Sequence, residues 1–266
     1  MVFLGQRILG ERKMYLVKSC SKARNPKRCG TLKIGSLTEY RDSENKEVED
    51  REEGFYRINL DLKKKWISVK LFNHLNDAHN SSLSASIYHL GMNGNYDGGV
   101  IVDYQADYSW VNLNRLIFCI TKVENIDDAK GIFSGYDDSW SISYSKITWM
   151  RNAMGKAILE QIKDRVAKGE LIFGNNVSDP DKLTIRSYAQ DIIYQERDLH
   201  LGNSDIDAMS DTLISLFENV KFIKPVNFEK EKELRLVFDF YYDGDIVFPQ
   251  INSLIIPAGS VVPLID

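Results

Sequence analysis

Strand-like runs crowd this chain, and too few helices separate them. That imbalance constrains the fold most, because a doubly wound parallel sheet needs a crossover helix between successive strands. "MYLVKSC" (Met14 to Cys20) reads as a short buried strand, and "TLKIGSL" (Thr31 to Leu37) alternates like a second. "FYRINLDL" and "KKWISVKLF" read as two strands joined by a polar connection at Lys63 to Lys65. "VIVDYQADY", "NRLIFCITKV" (Asn114 to Val123) and "YDDSWSISYSKITW" (Tyr136 to Trp149) add three more. Near the end come "KFIKPV", the well-patterned "ELRLVFDFYY", and the apolar runs of "INSLIIPAGSVVPLI".

Only two segments carry a clear helical period. "RNAMGKAILEQIKDRVAKG" places Met154, Ile158, Ile162 and Val166 four apart on one face, with Gly169 near its end. "SDIDAMSDTLISLFENV" reads as a helix with Ser204 or Asp205 as N-cap. "LTIRSYAQDIIYQ" fits either strand or helix. The expected fold is α+β, with mixed, mainly antiparallel sheets and a few helices. No repeat, low-complexity linker or proline cluster marks a cut, so residues 1–266 read as a single domain with loop insertions.

The insertions are polar. "TEYRDSENKEVEDREEG" reads as an acidic loop, and long loops within compact domains are often functional. "NHLNDAHNSSLSAS" reads as a loop, and "GMNGNYDGG" as a glycine-rich turn.

Several function classes find no support. A net charge of −4, mixed in sign, disfavours a dedicated nucleic-acid coat. No apolar run is long enough to span a membrane, and "MVFLGQRILGERK" lacks the build of a signal peptide. Three cysteines, Cys20, Cys29 and Cys119, suit a reduced cytoplasmic protein with free thiols, Cys119 being a buried and inert one. His74 and His79, five apart in a polar segment, read as loop histidines or as a weak metal pair; zinc spacing is absent and no metal is expected. Phosphate-loop, dinucleotide and nucleophile-elbow motifs are missing. The basic clusters "KARNPKR" and "KKK" leave salt-dependent nucleic-acid contact as a minor reading.

Three segments can carry chemistry. Tyr40 and Arg41 lie just past a strand end, and arginine suits bidentate contact with phosphate. "FCIT", ending at Thr121, offers a hydroxyl at a strand end near the aromatics of "YDDSWSIS". In "FEKEKELRLVF" (Phe228 to Phe238), strand alternation would place Glu231, Glu233 and Arg235 on one face, with Leu234, Leu236 and Phe238 turned to a core. Two such carboxylates can divide a task in oxocarbenium chemistry. An exposed strand face with a Glu–Arg pair explains the same pattern.

Taken in order, "YLVKSC…GTLKIGSLTEYRD…LIFCIT…YDDSWSISY…F..EKELR" resembles a bacterial and phage family catalogued as domain of unknown function 2971. That pattern is similar in turn to ADP-ribosyltransferases. The resemblance implies an ADP-ribosyltransferase-like fold and transfer of ADP-ribose from NAD to a protein or nucleic acid, as a toxin or phage-defence effector. By the same resemblance Glu233 is the catalytic glutamate and Glu231 orients the acceptor. Thr121 or Ser143 takes the hydroxyl position, Tyr15 or Lys18 the first-strand position, and Arg41 meets the pyrophosphate, with Arg235 beside the cofactor. The alternative is an inactive nucleotide- or protein-binding module of a defence or counter-defence system, with an antitoxin or defence protein as partner.

Overall fold

The computed structural model describes residues 13–43, 49–96, 98–174 and 177–266. The early apolar "MVFLGQRILGERK", apart from Lys13, and the middle of the acidic loop lie outside the described residues. The chain is mixed α+β with mostly antiparallel sheets. It begins with β1 (Tyr15–Cys20), α1 (Pro26–Cys29), β2 (Thr31–Ser36) and α2 (Leu37–Arg41). Next come β3 (Phe55–Ser68), α3 (Val69–Leu75), β4 (Ser81–Tyr96), β5 (Gly99–Asn112), β6 (Leu116–Val123) and β7 (Asp138–Ser143). After α4 (Ile147–Ala167) follow β8 (Leu183–Asp191), β9 (Ile193–Tyr194), β10 (Asp198–Leu201) and α5 (Asn203–Glu218). The chain closes with β11 (Ile223–Lys224), β12 (Glu233–Tyr242), β13 (Asp245–Val247) and β14 (Leu254–Pro257).

The larger sheet centres on β6 and β12, which pair antiparallel from Glu233↔Thr121 to Phe238↔Leu116. β8 covers the other edge of β12. Both faces of this centre are buried. Leu116, Phe118, Ile120, Leu234, Leu236 and Phe238 turn to the core beneath α4, while Ile117 and Val237 pack with Leu37, Ile192 and Phe222 on the opposite face. Two-sided burial explains why "LIFCI" and "LVF" are continuous apolar runs rather than alternating ones. Leu234, Leu236 and Phe238 face the core as alternation predicts.

The outer edge of β6 is divided. β1 pairs with its C-terminal end, Val17↔Thr121 through Tyr15↔Val123. β2 pairs with its N-terminal end, at Gly35↔Ile117 and Ser36↔Leu116. Between these pairings neither strand reaches Phe118, Cys119 or Ile120. The sheet therefore splits along one side of β6, and the split opens a cleft.

A second, four-stranded sheet runs in the order β10-β3-β5-β4. Its inner face packs Tyr56, Ile58, Leu60, Tyr104 and Trp110 against α3 and α5, around Leu71, Leu213 and Phe217.

Several local expectations change. The segments around Lys63 to Lys65 form one strand with an irregularity between Leu62 and Lys65, where Lys64 takes a positive φ of 48°. Val69 to Leu75 leave that strand as a helix capped by the Ser68 hydroxyl, so part of the expected Asn73–Ser86 loop is α3 and part is β4. "GMNGNY" continues β4, because β5 supplies a pairing partner that the glycines alone do not reveal. "ITW" (Ile147 to Trp149) opens α4 after a 3-10 turn over Tyr144–Lys146: the helical stripe extends back to buried Met150, and this period overrides the alternation of Ile147 and Trp149. The ambiguous segment resolves as β8. Gly202, not Ser204 or Asp205, is the N-cap of α5, with Asp205 accepting from the Gly202 N–H at 2.8 Å. His79 stacks on Phe217 at 5.2 Å, and the His74 ring lies against His79 at 5.2 Å, so the two imidazoles pack in series on the second core.

Candidate functional site

The cleft at the sheet split has a volume of about 720 Å³. Its walls are β1 from Val17 to Cys20, β2 with Lys33 and Gly35, and the aromatics Phe133, Tyr136 and Trp140. Phe118 to Thr121 of β6 form the back, and Lys224, Glu231 and Glu233 form the floor. Val17, Thr121 and Glu233 stand in one register line across three neighbouring strands. The first-strand, hydroxyl-strand and late-glutamate segments thus meet at one place, although they are over a hundred residues apart.

Lys18 reaches into the split. Its ammonium donates to the Cys119 carbonyl at 2.7 Å and lies 5.1 Å from the Phe118 ring centre. Phe118 in turn stacks on Trp140 at 6.1 Å. Phe133 and Tyr136 form an edge-to-face pair at the same distance. Arg24 and Lys33 add cationic groups to the wall, Lys33 paired with Glu39.

Glu233 begins β12 and is 4% exposed. Its Oε1 accepts from Arg235 Nε at 2.6 Å, and its Oε2 lies 2.9 Å from Lys224 Nζ. Lys224 also binds Glu231 at 2.7 Å, and Arg235 grips both oxygens of Glu53 at 2.7 and 3.1 Å. The result is a buried ladder, Glu53–Arg235–Glu233–Lys224–Glu231. Three carboxylates against two cations leave it one net negative charge when all are ionised.

These neighbours set the acidities. Burial alone would push Glu233 up, but the Arg235 guanidinium and Lys224 ammonium outweigh it and hold the carboxyl far below the usual range. For Glu231, burial outweighs the single Lys224 contact and pushes the carboxyl up. Burial would lower Lys224, yet Glu233, Glu53 and Glu231 together keep it protonated well above neutral pH. The floor therefore holds one carboxylate that stays ionised and one readier to accept a proton, a division of roles that enzymes use. A carboxylate has about four acceptor positions, so Glu233 with two donors in place can still receive a ligand hydroxyl.

The expected site residues separate into two groups. Lys18, Thr121, Glu231 and Glu233 converge on the cleft. Glu231 arrives by another route than strand alternation: it ends a 3-10 turn, and Lys232 takes a left-handed conformation with φ 46° before β12 starts. Both glutamates meet because they share Lys224. Arg41 is a correction: it donates to the backbone carbonyls of Glu53 and Asn112 at 2.6 and 2.8 Å and does not line the cleft. Those bonds tie α2 to the turn before β3 and to the end of β5. Arg235 is fully buried beneath Glu233 and supports it rather than facing a ligand. Tyr15 and Ser143 pair with each other at the far end of β1, outside the cleft lining. Ser143 Oγ instead meets Ser145 Oγ at 2.9 Å.

Sequence reasoning missed Lys224 and Glu53. A lysine inside the apolar run "KFIKPV" is a signal, because a buried ammonium demands carboxylate partners. Glu53 carries no such signal among the many acids around it. Among the described residues, no three His, Cys, Asp or Glu side chains group to hold a metal ion. No helix among them is long and apolar enough to cross a membrane.

No family model, curated protein or solved structure matches this chain.

Proposed function

We propose that the cleft binds NAD and that the chain is an ADP-ribosyltransferase-like enzyme acting on a macromolecular acceptor. The single observation that carries this reading is the register line Val17–Thr121–Glu233, which gathers Lys18, a hydroxyl and an ionised carboxylate in one cleft. The charge layout also suits a zwitterionic dinucleotide. Lys18 and Arg24 on the wall can meet phosphates, the aromatics can hold a flat ring, and the anionic ladder lies beneath a cationic nicotinamide riboside.

In the reaction, the bond from the ribose C1′ to the nicotinamide nitrogen breaks, and nicotinamide leaves with the electron pair. Glu233, kept ionised by its two cations, stabilises the oxocarbenium ion and accepts from a ribose hydroxyl. An acceptor nucleophile then bonds to C1′ and its proton passes to Glu231, whose raised pKa suits that task. A role as toxin or phage-defence effector in the cytoplasm rests on the family resemblance.

A second reading is favoured by one feature: both Glu233 oxygens already hold internal cations. On that reading the chain is a catalytically inactive nucleotide-binding module.

The test uses labelled NAD, a cell extract as acceptor source, and calorimetry with NAD. Wild type should bind NAD and transfer label. Glu233→Gln should still bind but lose about 3–4 kcal/mol of transition-state stabilisation, a rate loss of roughly 10²–10³. Lys18→Ala, which leaves the ladder intact, should weaken NAD binding about tenfold or more. Binding without transfer or nicotinamide release supports the inactive module. Absence of NAD binding overturns both nucleotide readings.

A further inference from the structure

Strand β4 forms one edge of the four-stranded sheet, and its outer side has no partner strand among the described residues. It is long, and from Ser81 to Tyr96 it contains no Asp, Glu, Lys, Arg or Pro. Natural sheets usually protect such an edge with charges, prolines, bulges or shortness. Here only the bulges are present, and the first keeps an apolar face in line. Leu83, Ala85 and Ile87 lie opposite Trp110, Tyr108 and Ala106, β5 residues that are themselves buried in the second core. At Tyr88 an extra residue is inserted; beyond it Leu90 and Met92 lie opposite Tyr104 and Val102, which are buried in the same core. Without this insertion, Leu90 and Met92 would turn to the other face. The Tyr88 side chain points to the polar face, where its hydroxyl meets Asp107 at 2.6 Å.

Among the described residues, nothing covers the apolar row at the edge. Ile87 is 49% exposed, Leu90 38% and Met92 50%. These side chains continue the inner face of the sheet past its last strand.

We propose that a second copy of this chain pairs its β4 with this β4, antiparallel about a two-fold axis near Tyr88 and His89. Self-pairing fits the edge for two reasons. First, two identical strands without charges place no unpaired charge against Ile87, Leu90 and Met92, whereas a charged partner strand would bury one. Second, the bulge makes the two-fold register consistent. Ile87 of one copy lies opposite Leu90 of the other, and Ala85 opposite Met92, so apolar side chains meet on one face and Ser86 meets Gly91 on the other. A regular strand cannot place an odd and an even residue on the same face; the inserted residue at the axis permits it. The two sheets become one continuous sheet, and two free edges disappear.

Sedimentation of the full chain tests this. Wild type should run at twice the chain mass at roughly 10–100 µM, the range in which a micromolar dimer is populated. Leu90→Lys and, separately, Ile87→Lys should halve the observed mass with unchanged far-UV circular dichroism, because both side chains are already exposed at the edge. Leu171→Lys, 65% exposed and away from β4, should leave the dimer intact. A further variant, Ser86→Cys with Gly91→Cys, should form an intermolecular disulfide between those two positions on mild oxidation. A wild type that stays monomeric throughout overturns the proposal. So does a dimer that survives both lysine substitutions.

Discussion

Replacing Arg235 by methionine tests the buried ladder most directly. Arg235 donates to Glu233 at 2.6 Å, to Glu53 at 2.7 and 3.1 Å, and to the Lys221 carbonyl at 2.7 Å. Glu53 and Arg235 are fully buried, so water cannot replace the lost bonds. Arg235→Met leaves Glu53 without its guanidinium and Glu233 with Lys224 alone. Breaking one side of a buried pair costs about 3–5 kcal/mol, and Arg235→Met should fall in that range. Glu53→Gln should cost a similar amount, because an amide N–H then faces the guanidinium N–H groups. The double variant removes both charges together. Its cost should stay well below the sum of the two, giving a coupling of at least about 2 kcal/mol in a double-mutant cycle. Urea unfolding, followed by tryptophan fluorescence and far-UV circular dichroism, measures all four proteins; coincident transitions license the comparison. Single costs below about 1 kcal/mol, or costs that simply add, would refute the claim that Glu53 and Arg235 act as one buried unit.

The pH dependence of stability follows from the depressed acidity of Glu233. Its stabilising contribution is fully present above the unfolded glutamate value, about 4.3, and is lost as pH falls from there toward the lower folded value. Glu233→Gln should therefore be less stable than wild type at pH 6–7, and the gap should close on acidification in urea melts; a gap that stays constant down to about pH 3 contradicts the assignment. The thiols should also differ. Burial pushes Cys119 up to about 12, with Glu233 adding to it, and burial pushes Cys20 up to about 11. Exposed Cys29 is lowered by its hydrogen bond with Thr31. At pH 7.5, iodoacetamide should label Cys29 well before the other two, as read by peptide mass spectrometry; equal labelling would count against this ordering.

The strands of this chain were legible because their residues carry the signal locally. "ELRLVFDFYY" is β12 to the residue, and the four-residue stripe of α4 is buried as its spacing predicts. Leu234, Leu236 and Phe238 meet the core because alternation leaves them no other face. Where a segment's state depends on a distant partner, local pattern failed. "GMNGNY" is strand only because β5 pairs with it, and "SSLSAS" is strand for the same reason.

The candidate site divides along the same line. Sequence by itself marked Thr121, Glu231 and Glu233 as residues whose chemistry could matter, and the family resemblance added Lys18 as one of two first-strand candidates. Only tertiary structure decided that β1, β6 and β12 are neighbours, that β1 and β2 part along β6 to open a cleft, and that Arg41 stays outside it. It also supplied Lys224 and Glu53, the partners that set the charge of the floor. The physical reason is the range of the forces involved. Alternation and helical period are written within a few residues, whereas a buried carboxylate takes its acidity from whichever charges the fold brings within hydrogen-bond distance.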